Sequence, residues 1–418
     1  MPSSSEPLRT TCCIIGGGPA GIILGFLLAR VGIDVTVLEK HKDFFRDFRG
    51  DTIHPATLNI LNQLGLLDQF LRIPHQEIHR LSLLIGGTEF PFADFTNLKT
   101  PTPFIALMPQ WDFLNFLASH ASTLPTFHLL FEHEVTGLLE SSIPGQGPVV
   151  TGVRANTPGG LIEIHAPLTV GCDGRHALSR AAAHLHVIDR GAPIDVLWFR
   201  LSRRNTDPDN APLNFNFGSG LILINRTDYF QCGFIIAKDS FATIQPAGLP
   251  AFHAAIARLT PFLADRVDEL TTWDQVKLLS VQLNHLERWH SRGLLCIGDA
   301  AHAMSPIGGV GINLAIQDAV AAANLLTKPL ASAARTGYIA ESVLAAVQHR
   351  RELPTRVTQT FQVFAHSFLQ RALGTPGQLK APLALRLLSP YPIFRRTLAR
   401  FIGLGVRPES VQPTPTSN

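Results

Sequence analysis

Two glycine-rich turns with nearby carboxylates are the residues of this sequence whose types and spacing point to chemistry. The first turn, Gly16-Gly17-Gly18-Pro19-Ala20-Gly21, follows an apolar run and precedes a long apolar segment with helical spacing. Its G-x-G-x-x-G pattern provides a tight turn, close backbone approach to a diphosphate and close contact between helix and strand. Glu39 ends the next apolar run, where a carboxylate can accept hydrogen bonds from the hydroxyls of an adenosine ribose. The pattern predicts a dinucleotide site without distinguishing NAD from FAD.

The second turn leads into a glycine-rich loop that suits a flavin. Gly298-Asp299 ends an apolar strand-like run, and an Asp at such a place can bind a ribityl hydroxyl. In the loop that follows, Pro306, Gly309 and Gly311 lead into Ile312-Asn313 and a long helical segment. Backbone N–H groups and the positive end of the helix dipole would meet the N1 and C2 carbonyl edge of a flavin, which is anionic when reduced. This motif favours FAD over NAD.

A third strand-like run ends in Asp173-Gly174 and is followed by a short helical segment. Alone it is typical of an ordinary turn. Two further features support a shared site: Arg49-Gly50-Asp51-Thr52 before a helical segment, and Gln110 at the beginning of another.

The elements that must position these residues read as strand, glycine turn, helix and strand, which is the beginning of a doubly wound α/β domain. From Arg80 to Phe104 and from Val187 to Leu283, short strand-like runs alternate with polar turns and indicate a mixed sheet inserted into that domain. We therefore predict an α/β fold with a doubly wound FAD-binding domain, an inserted mixed β-sheet domain that binds substrate, and C-terminal helices. The predicted ranges are 8–75, 105–186 and 288–350 for the FAD-binding domain, 76–104 and 187–287 for the sheet domain, 351–408 for the C-terminal helical segment, and 1–7 and 409–418 for disordered tails.

Composition narrows the class of partner. The chain has 418 residues, is 45% hydrophobic, and carries a formal net charge of +3 from scattered basic residues, which gives nucleic-acid binding no support and favours a small molecule. The N-terminus lacks the pattern of a signal peptide, and no uninterrupted apolar stretch reaches the roughly 18 residues of a membrane span. We expect no metal site, because His and Cys show no ligand spacing. The cysteines are expected to be buried, reduced thiols of a cytoplasmic protein; they are Cys12, Cys13, Cys172, Cys232 and Cys296.

The C-terminal residues 383–402 alternate apolar and basic side chains, which is typical of an amphipathic helix on a membrane surface. The basic residues are Arg386, Arg395, Arg396 and Arg400. Pro390 and Pro392 interrupt the helical period, which favours a segment that folds back on the FAD-binding domain or on another subunit.

Together these motifs resemble the single-component FAD-dependent monooxygenases typified by para-hydroxybenzoate hydroxylase, in order and approximate spacing over most of residues 8–330. The resemblance implies the GR2-type Rossmann-like variant of the fold. It implies that Glu39 binds the adenosine ribose, that Arg49 and Gln110 contact the diphosphate and ribityl region, and that Asp299 holds the ribityl chain. The family usually has Arg where Gln110 stands. The predicted cofactor-binding residues are Gly16, Gly18, Pro19, Ala20, Gly21, Glu39, Lys40, Arg49, Gly50, Gln110, Asp173, Gly298, Asp299, Pro306, Gly309, Gly311, Ile312 and Asn313.

The same resemblance implies a reaction. NADH or NADPH would act as a transient reductant of FAD, and O₂ would be passed to an electron-rich ring carbon of a small aromatic substrate through a flavin C4a-hydroperoxide. Pro306 would shape the wall where oxygen reacts, and His54 or Asp51 would handle a phenolic proton. The aromatic-rich inserted sheet favours an apolar aromatic or heteroaromatic substrate, although alternation leaves open which side chains face the pocket. The predicted substrate residues are Trp198, Arg200, Phe217 and Phe230.

Three alternatives remain beside this hypothesis. A flavin halogenase of the same fold carries W-x-W-x-I-P, whereas the four tryptophans here never stand two residues apart. A flavin reductase or dehydrogenase shares the FAD-binding parts, and sequence separates it poorly from a hydroxylase. A flavin-binding protein without turnover would bind FAD tightly but show no ligand-stimulated NAD(P)H oxidation. The sequence leaves open whether the protein is a monomer or a homodimer.

Overall fold

The computed structural model describes residues 7–45, 52–143, 147–208 and 213–412. Its helices, numbered along the chain, are α1 Pro19–Ala29, α2 Pro55–Gln63, α3 Leu67–Phe70, α4 Gln110–Ala121, α5 Leu178–Ala182, α6 Phe241–Ile244, α7 Leu249–Leu259, α8 Gly311–Thr336, α9 Glu341–Leu373, α10 Leu383–Leu388 and α11 Pro392–Leu404. The first twelve strands are β1 Leu8–Arg9, β2 Cys12–Ile15, β3 Val35–Leu38, β4 Thr52–Ile53, β5 Gln76–Ile78, β6 Arg80–Ile85, β7 Thr88–Asp94, β8 Ile105–Leu107, β9 Phe127–Leu130, β10 Glu134–Ile143, β11 Gly147–Thr157 and β12 Gly160–His165. The remaining strands are β13 Leu168–Gly171, β14 Val187–Asp189, β15 Ile194–Ser202, β16 Leu213–Asn216, β17 Ser219–Asn225, β18 Tyr229–Ala237, β19 Lys277–Ser280, β20 Asn284–Leu286, β21 His290–Ser291, β22 Leu294–Cys296 and β23 His302–Ala303.

A six-stranded sheet in the order β21-β22-β13-β2-β3-β9 forms the centre of the first domain. Every pair in it is parallel except β21 with β22. Strands β2 and β3 are buried along their whole length, as expected for parallel strands covered on both faces. Helices α1, α4 and α8 lie on one face, and a mixed sheet in the order β1-β12-β11-β10, antiparallel except for the pair β1 with β12, packs on the other.

A seven-stranded mixed sheet in the order β19-β15-β18-β17-β16-β6-β7 lies beside this domain. Its pairs are antiparallel except β16 with β6, which is parallel. Helix α7 covers its outer face, where Phe199 packs against Phe252 and Phe230 lies in the same apolar cluster. The inner face carries Trp198 and packs against the C-terminal part of α9 and against Ile307 of the glycine-rich loop. The predicted α/β fold with an inserted mixed sheet and C-terminal helices is confirmed, and the domain boundaries stay an interpretation.

The C-terminal segment folds back on the first domain. Helix α11 packs on β7 and α2, and the backbone carbonyl of Ile402 contacts the ring of His54. The prediction of a disordered tail from residue 409 is wrong for 409–412, because Glu409 is 6% exposed and accepts hydrogen bonds from Arg350 and Arg351. Arg350 and Arg351 thus bind the segment 409–412 to the folded protein, although its polar sequence predicts disorder.

Within the described part of the chain, one helical segment, Ile307–Thr336, which includes α8, has the length and apolar composition needed to cross a membrane. Of its most apolar 18-residue stretch, 72% is buried inside the protein. Its buried residues pack against α1 and the parallel sheet. This helix is therefore accounted for as a core element of the first domain.

Candidate active site

The turn between β2 and α1 has the geometry that its glycines require. Gly16 has a φ of +103°, and a Cβ there would lie 2.5 Å from the carbonyl oxygen of Cys172. A Cβ on Gly21 would lie 2.0 Å from the carbonyl oxygen of Gly16, so this helix and turn can approach only without side chains. Among the described residues, nothing lies within 4 Å of the place where Gly18 would carry a Cβ. The beginning of α1 therefore adjoins open space at Gly18, where the unpaired N–H groups of a first helical turn can bind a diphosphate.

Glu39 lies immediately after β3 and turns back toward this glycine turn. Its Oε2 accepts a hydrogen bond from the backbone N–H of Gly17 at 3.1 Å, and its Oε1 accepts one from His41 N–H at 3.1 Å. The carboxylate is thereby fixed where the sequence predicts the adenosine ribose. Lys40 is exposed beside it. Arg49, Gly50 and Asp51, which the sequence assigned to the cofactor and to proton transfer, lie outside the described residues.

The second glycine motif directly contacts the first. Gly298 has a φ of +59°, and a Cβ there would lie 3.1 Å from the Cβ of Ala315 in α8 and 3.3 Å from that of Ala20 in α1. Asp299 follows it and is partly exposed. The two motifs are 282 residues apart when counted from Gly16 to Gly298. The fold therefore brings the predicted diphosphate and ribityl sites side by side.

Hydrogen bonds from β4 and α2 hold the loop from Pro306 to Gly311 and the first turn of α8. Gly309 has a φ of +63°, and its carbonyl oxygen accepts a hydrogen bond from Thr52 Oγ1 at 2.9 Å. Asn313 is buried and accepts a hydrogen bond from Thr57 Oγ1 at 3.2 Å, while Ile312 is partly exposed. The backbone N–H groups of the first turn of α8 are thus rigidly placed at the positive end of the helix dipole.

His54 supports this loop instead of facing a substrate. It is fully buried, with Nδ1 2.9 Å from the carbonyl oxygen of Ile402 and Nε2 3.0 Å from that of Gly309. Burial lowers the pKa of His54 to about 4, although both carbonyl contacts act in the opposite direction. Because both ring nitrogens contact backbone carbonyls, the geometry argues against the predicted proton transfer and identifies His54 as a residue that positions the loop.

Asp173 and Gln110 lie at the margins of the same region. The carboxylate of Asp173 accepts hydrogen bonds from the backbone N–H and from Oγ of Ser179, at 2.9 and 2.7 Å, and so caps α5. Burial raises the pKa of Asp173 despite these bonds. Gln110 is the first residue of α4, and the ring of the next residue, Trp111, lies 4.9 Å from that of Phe45. The roles of Asp173 and Gln110 toward a cofactor stay predictions.

A buried charge network lies directly beneath the second glycine motif. Asp318 of α8 is fully buried; its Oδ2 lies 2.5 Å from His302 Nε2 and 3.1 Å from the backbone nitrogen of Gly298, and its Oδ1 lies 2.9 Å from Arg351 Nε. Arg351 in turn contacts Glu409 at 3.3 Å. Burial raises the pKa of Asp318, but the charges and hydrogen bonds of His302 and Arg351 outweigh it and hold that pKa below its ordinary value. The network therefore fixes the backbone of the motif that precedes Asp299.

Sequence reasoning missed Asp318 and Arg351. The available signal was an isolated carboxylate within the apolar helical run that follows Asn313. A charge at such a position is almost always paired when it is buried.

The structure separates the four predicted substrate residues into two groups. Trp198 and Arg200 lie on the inner face of the mixed sheet, two residues apart on β15, and Trp198 shares an apolar cluster with Ile307. Among the described residues, the buried Nε1 of Trp198 has no hydrogen-bond partner. Phe230 is fully buried on the outer face, and Phe217 packs there beneath the guanidinium of Arg258 at 3.9 Å. Alternation along β18 turns Phe230 toward α7, and Phe217 lies in the turn between β16 and β17 against the same outer cluster, so the geometry argues against the substrate role predicted for both.

A cavity of about 580 Å³ adjoins the third motif. Basic side chains from two segments line it, namely Arg175, His176 and Arg180 around the beginning of α5, and Lys238 after β18. Arg180 also donates to the backbone carbonyl of Ala300, the residue after Asp299, at 3.3 Å. This basic cavity therefore borders the predicted flavin site.

The fold and the site together define a flavoprotein of the dinucleotide-binding α/β class. The chain belongs to the FAD binding domain family, whose profile matches residues 9–360. It is 32% identical over 404 residues to 6-methylpretetramide 4-monooxygenase of Streptomyces rimosus, covering 95% of this chain and 93% of that protein. It is 26% identical over 336 residues to a rifampicin monooxygenase of Rhodococcus hoagii, covering 73% of this chain and 61% of that longer protein. The crystal structure of p-nitrophenol 4-monooxygenase PnpA from Pseudomonas putida DLL-E4 superposes with a TM-score of 0.70 at 19% identity, covering 93% of this chain and 94% of that one.

These findings confirm the resemblance predicted from the motifs. The protein is an FAD-dependent oxidoreductase of the monooxygenase kind. The described residues fit the cofactor on structural grounds as well. Open space at the beginning of α1 suits a diphosphate, the fixed carboxylate of Glu39 suits a ribose, and the first turn of α8 offers N–H groups to an anionic ring edge.

Proposed function

We propose that the protein hydroxylates an apolar aromatic or heteroaromatic small molecule, using NADH or NADPH and O₂. The reaction balances as substrate–H, NAD(P)H, H⁺ and O₂ giving substrate–OH, NAD(P)⁺ and H₂O. The observation that carries the proposal is the position of the glycine-rich loop. Ile307 packs in one apolar cluster with Trp198, while the same loop leads into the N-terminus of α8. A cofactor edge at α8 would therefore face the inner side of the mixed sheet.

Bound FAD would supply acceptance of a hydride from NAD(P)H and activation of O₂. The chain itself would contribute three things to that chemistry. The N–H groups of Gly311 to Asn313 would stabilise negative charge at the ring edge that is anionic after reduction. The apolar inner cluster around Trp198 would exclude water, and Pro306 would form part of the wall beside it.

The inner face of the mixed sheet favours an aromatic substrate with at least one polar group. Trp198 offers an indole N–H, buried and without a partner among the described residues, which suits a ring oxygen or nitrogen acceptor. Arg200 lies on the same face, is exposed, and stacks over Tyr229 at 5.1 Å. The likeness of the chain to 6-methylpretetramide 4-monooxygenase also supports oxygenation of a small molecule.

The basic cavity beside the third motif is where we propose that NAD(P)H binds. Its volume of about 580 Å³ is within the range of ligand pockets, and its basic residues Arg175, His176 and Arg180 outnumber the one acidic lining residue, Asp189, while Lys238 is paired with Asp195 at 2.9 Å. We expect Arg175→Ala to raise the KM for NAD(P)H. Arg154→Ala is the matched control, because Arg154 lies on β11, does not line this cavity, and pairs with Glu163.

The test measures oxidation of NADH and NADPH by the FAD-loaded protein, with and without a panel of phenolic, polycyclic and heteroaromatic compounds. Reactions run under ¹⁸O₂ are followed by mass spectrometry. A compound that accelerates NAD(P)H oxidation and gains one ¹⁸O atom supports the proposal and identifies the substrate class. Oxidation without an oxygenated product across the panel would favour a flavin reductase. Failure of both nucleotides to reduce the protein would contradict the proposed reductant.

A further inference from the structure

The C-terminal helices carry an unusual combination of charge and exposed apolar surface. Between Glu352 and Glu409 the sequence contains basic residues and not one Asp or Glu. The basic residues of this span are Arg356, Arg371, Lys380, Arg386, Arg395, Arg396, Arg400 and Arg407. The rest of the chain is net negative, with 27 basic and 32 acidic residues, although the whole sequence carries +3. The positive excess is therefore concentrated in this segment.

Large apolar side chains are exposed within the same segment. Leu383 and Leu387 of α10 are 66% and 59% exposed, Tyr391 is 60% exposed, and Ile393 of α11 is 76% exposed. On α9, Phe364 is 74% exposed. Single exposed apolar residues are ordinary on a protein surface, whereas a contiguous group usually marks an interaction site.

Contacts beneath the surface show that the three helices carrying these residues adjoin one another. The ring of Phe361 in α9 lies 5.1 Å from that of Phe401 in α11. Phe368, two turns further along α9, packs in the inner cluster together with Leu385 of α10. Phe364 lies between Phe361 and Phe368 on the same side of α9, because residues three, four and seven apart share one helix face. We call the exposed apolar residues of α9, α10 and α11, with the basic residues around them, the C-terminal surface.

We propose that the C-terminal surface docks the protein on an anionic lipid bilayer, with the apolar side chains inserted at the headgroup boundary and the basic side chains on the phosphates. Alternating apolar and basic residues on an exposed helical layer are what such binding requires. Lys380, Arg386, Arg396 and Arg400 are exposed around the apolar group. The acidic Asp94 beside α11 pairs with Arg80 at 3.4 Å and lies in the field of Arg395.

A second copy of the chain is a poorer occupant of this surface. In a two-fold dimer the same patch meets itself, so the span from 353 to 408 would bring only like charges together. An anionic bilayer instead matches both the sign of the charge and the apolar exposure. Docking is independent of the reaction proposed above, but it has a consequence for it. The inner cluster joins α10 to the glycine-rich loop, so the docked face would lie next to the proposed reaction cleft.

The proposal is tested by flotation of the FAD-loaded protein with vesicles of phosphatidylcholine alone and of an equimolar mixture of phosphatidylcholine and phosphatidylglycerol. We expect binding to the mixed vesicles only, with loss of binding at high salt. Arg396→Glu with Arg400→Glu, and separately Leu387→Ser with Ile393→Ser, are each expected to weaken binding at least about tenfold. The controls are Lys277→Glu, at the opposite edge of the mixed sheet, and Leu161→Ser, a leucine that is 58% exposed on β12.

A second measurement does not depend on the loss of binding in variants. Ile393→Trp places a fluorophore at the most exposed apolar position of this surface, and the emission of the variant should shift to shorter wavelength and be quenched by brominated lipids when mixed vesicles are added. The proposal is overturned if the protein does not float with anionic vesicles, if the control variants lose binding equally, or if the fluorescence of the Ile393→Trp variant is unchanged. It is also overturned if the same substitutions abolish a dimer in sedimentation experiments without lipid, which would assign the surface to a second copy.

Discussion

Replacing Arg351 by Met tests whether the buried network holds the second glycine motif in place. The side chain of Arg351 is fully buried; its Nε donates to Asp318 Oδ1 at 2.9 Å, and its Nη1 lies 3.3 Å from Glu409 Oε1. Methionine fills a similar apolar volume but leaves the carboxylate of Asp318 buried without its guanidinium partner. Breaking a buried ion pair in this way costs about 3–5 kcal/mol of the free energy of unfolding. We expect a loss of that size at neutral pH.

The neighbouring residue supplies a matched control. The side chain of Arg350 is 48% exposed and also pairs with Glu409, at 2.8 Å, but it does not contact Asp318 among the described residues. Because solvent screens a half-exposed pair, Arg350→Met should cost about 1 kcal/mol or less. The difference between these two adjacent substitutions isolates the effect of the buried charge.

The sign of the pH dependence follows from the lowered pKa of Asp318. A carboxyl group whose pKa is lower in the folded state stabilises the protein above its unfolded pKa, near 3.8, and this contribution is lost as the pH falls through the folded value. Without Arg351 the pKa of Asp318 should rise, since burial then dominates. The deficit of Arg351→Met relative to the parent should therefore be greatest at neutral pH and shrink as the pH is lowered.

The assay is urea denaturation of the FAD-loaded protein, followed by far-ultraviolet circular dichroism and by tryptophan fluorescence, to which Trp289 contributes from a position 4.9 Å from the ring of His302. The double variant Arg351→Met with Asp318→Asn removes the unpaired charge, so it should be less destabilised than the sum of its single variants by about 2 kcal/mol. FAD affinity should fall in Arg351→Met, because Asp318 also holds the backbone of Gly298. A cost below about 1 kcal/mol, or strict additivity in the double variant, would refute the reasoning.

Three other predictions concern the cofactor turn, the loop and the two faces of the mixed sheet. Gly21→Ala would place a Cβ 2.0 Å from a backbone oxygen and should lower the free energy of unfolding by about 3 kcal/mol. Gly18→Ala, at a φ of −74° and in open space, should fold normally but bind FAD roughly tenfold more weakly. Circular dichroism measures the first effect and a flavin titration the second. The pKa of His54 is lowered to about 4 from an ordinary 6.5, so between these pH values the unfolded chain binds one more proton than the folded protein, and the free energy of unfolding should rise with pH. In urea titrations, His54→Gln should remove this pH dependence. The slope of the activity profile near pH 6.5 should be the same in the variant and the parent. Trp198→Phe should raise the KM for the aromatic substrate about fivefold, as expected for one lost hydrogen bond. Phe230→Leu should lower the free energy of unfolding by about 1 kcal/mol and leave KM unchanged. Equal effects of the two substitutions on KM would contradict the assignment of Trp198 to the inner face and Phe230 to the outer face.

The cofactor motifs could be predicted from sequence because their geometry depends on local residue types. Positive φ angles at Gly16, Gly298 and Gly309, and the close approach at Gly21, leave room only for glycine, so the pattern of glycines directly reports the turns. The order of strand, turn and helix around them then identifies the class of fold.

The substrate side and the buried network could not be predicted in the same way. Trp198 and Phe230 both lie in strands with apolar residues on both faces, so alternation alone does not tell which face meets the loop. The pairing of Asp318 with Arg351, and of Arg351 with Glu409, joins residues 33 and 58 positions apart through tertiary packing. The polar sequence that begins at Glu409 predicts disorder, because the contact of Glu409 with the buried Arg351 exists only in the folded protein.

The packing of α1 against α8 also constrains how the chain is made. All residues from Ala20 to Ala29 are buried, and α8, which covers them, begins only at Gly311. At ribosomal speeds of about 5–20 residues per second, roughly 15 to 55 s separate the synthesis of these two helices. Throughout that interval the apolar face of α1 that α8 covers lacks its final partner, although β3 and α4 are already made. We therefore expect yields of soluble protein to depend on chaperones that shield apolar segments during translation, and to improve when synthesis is slowed at low temperature.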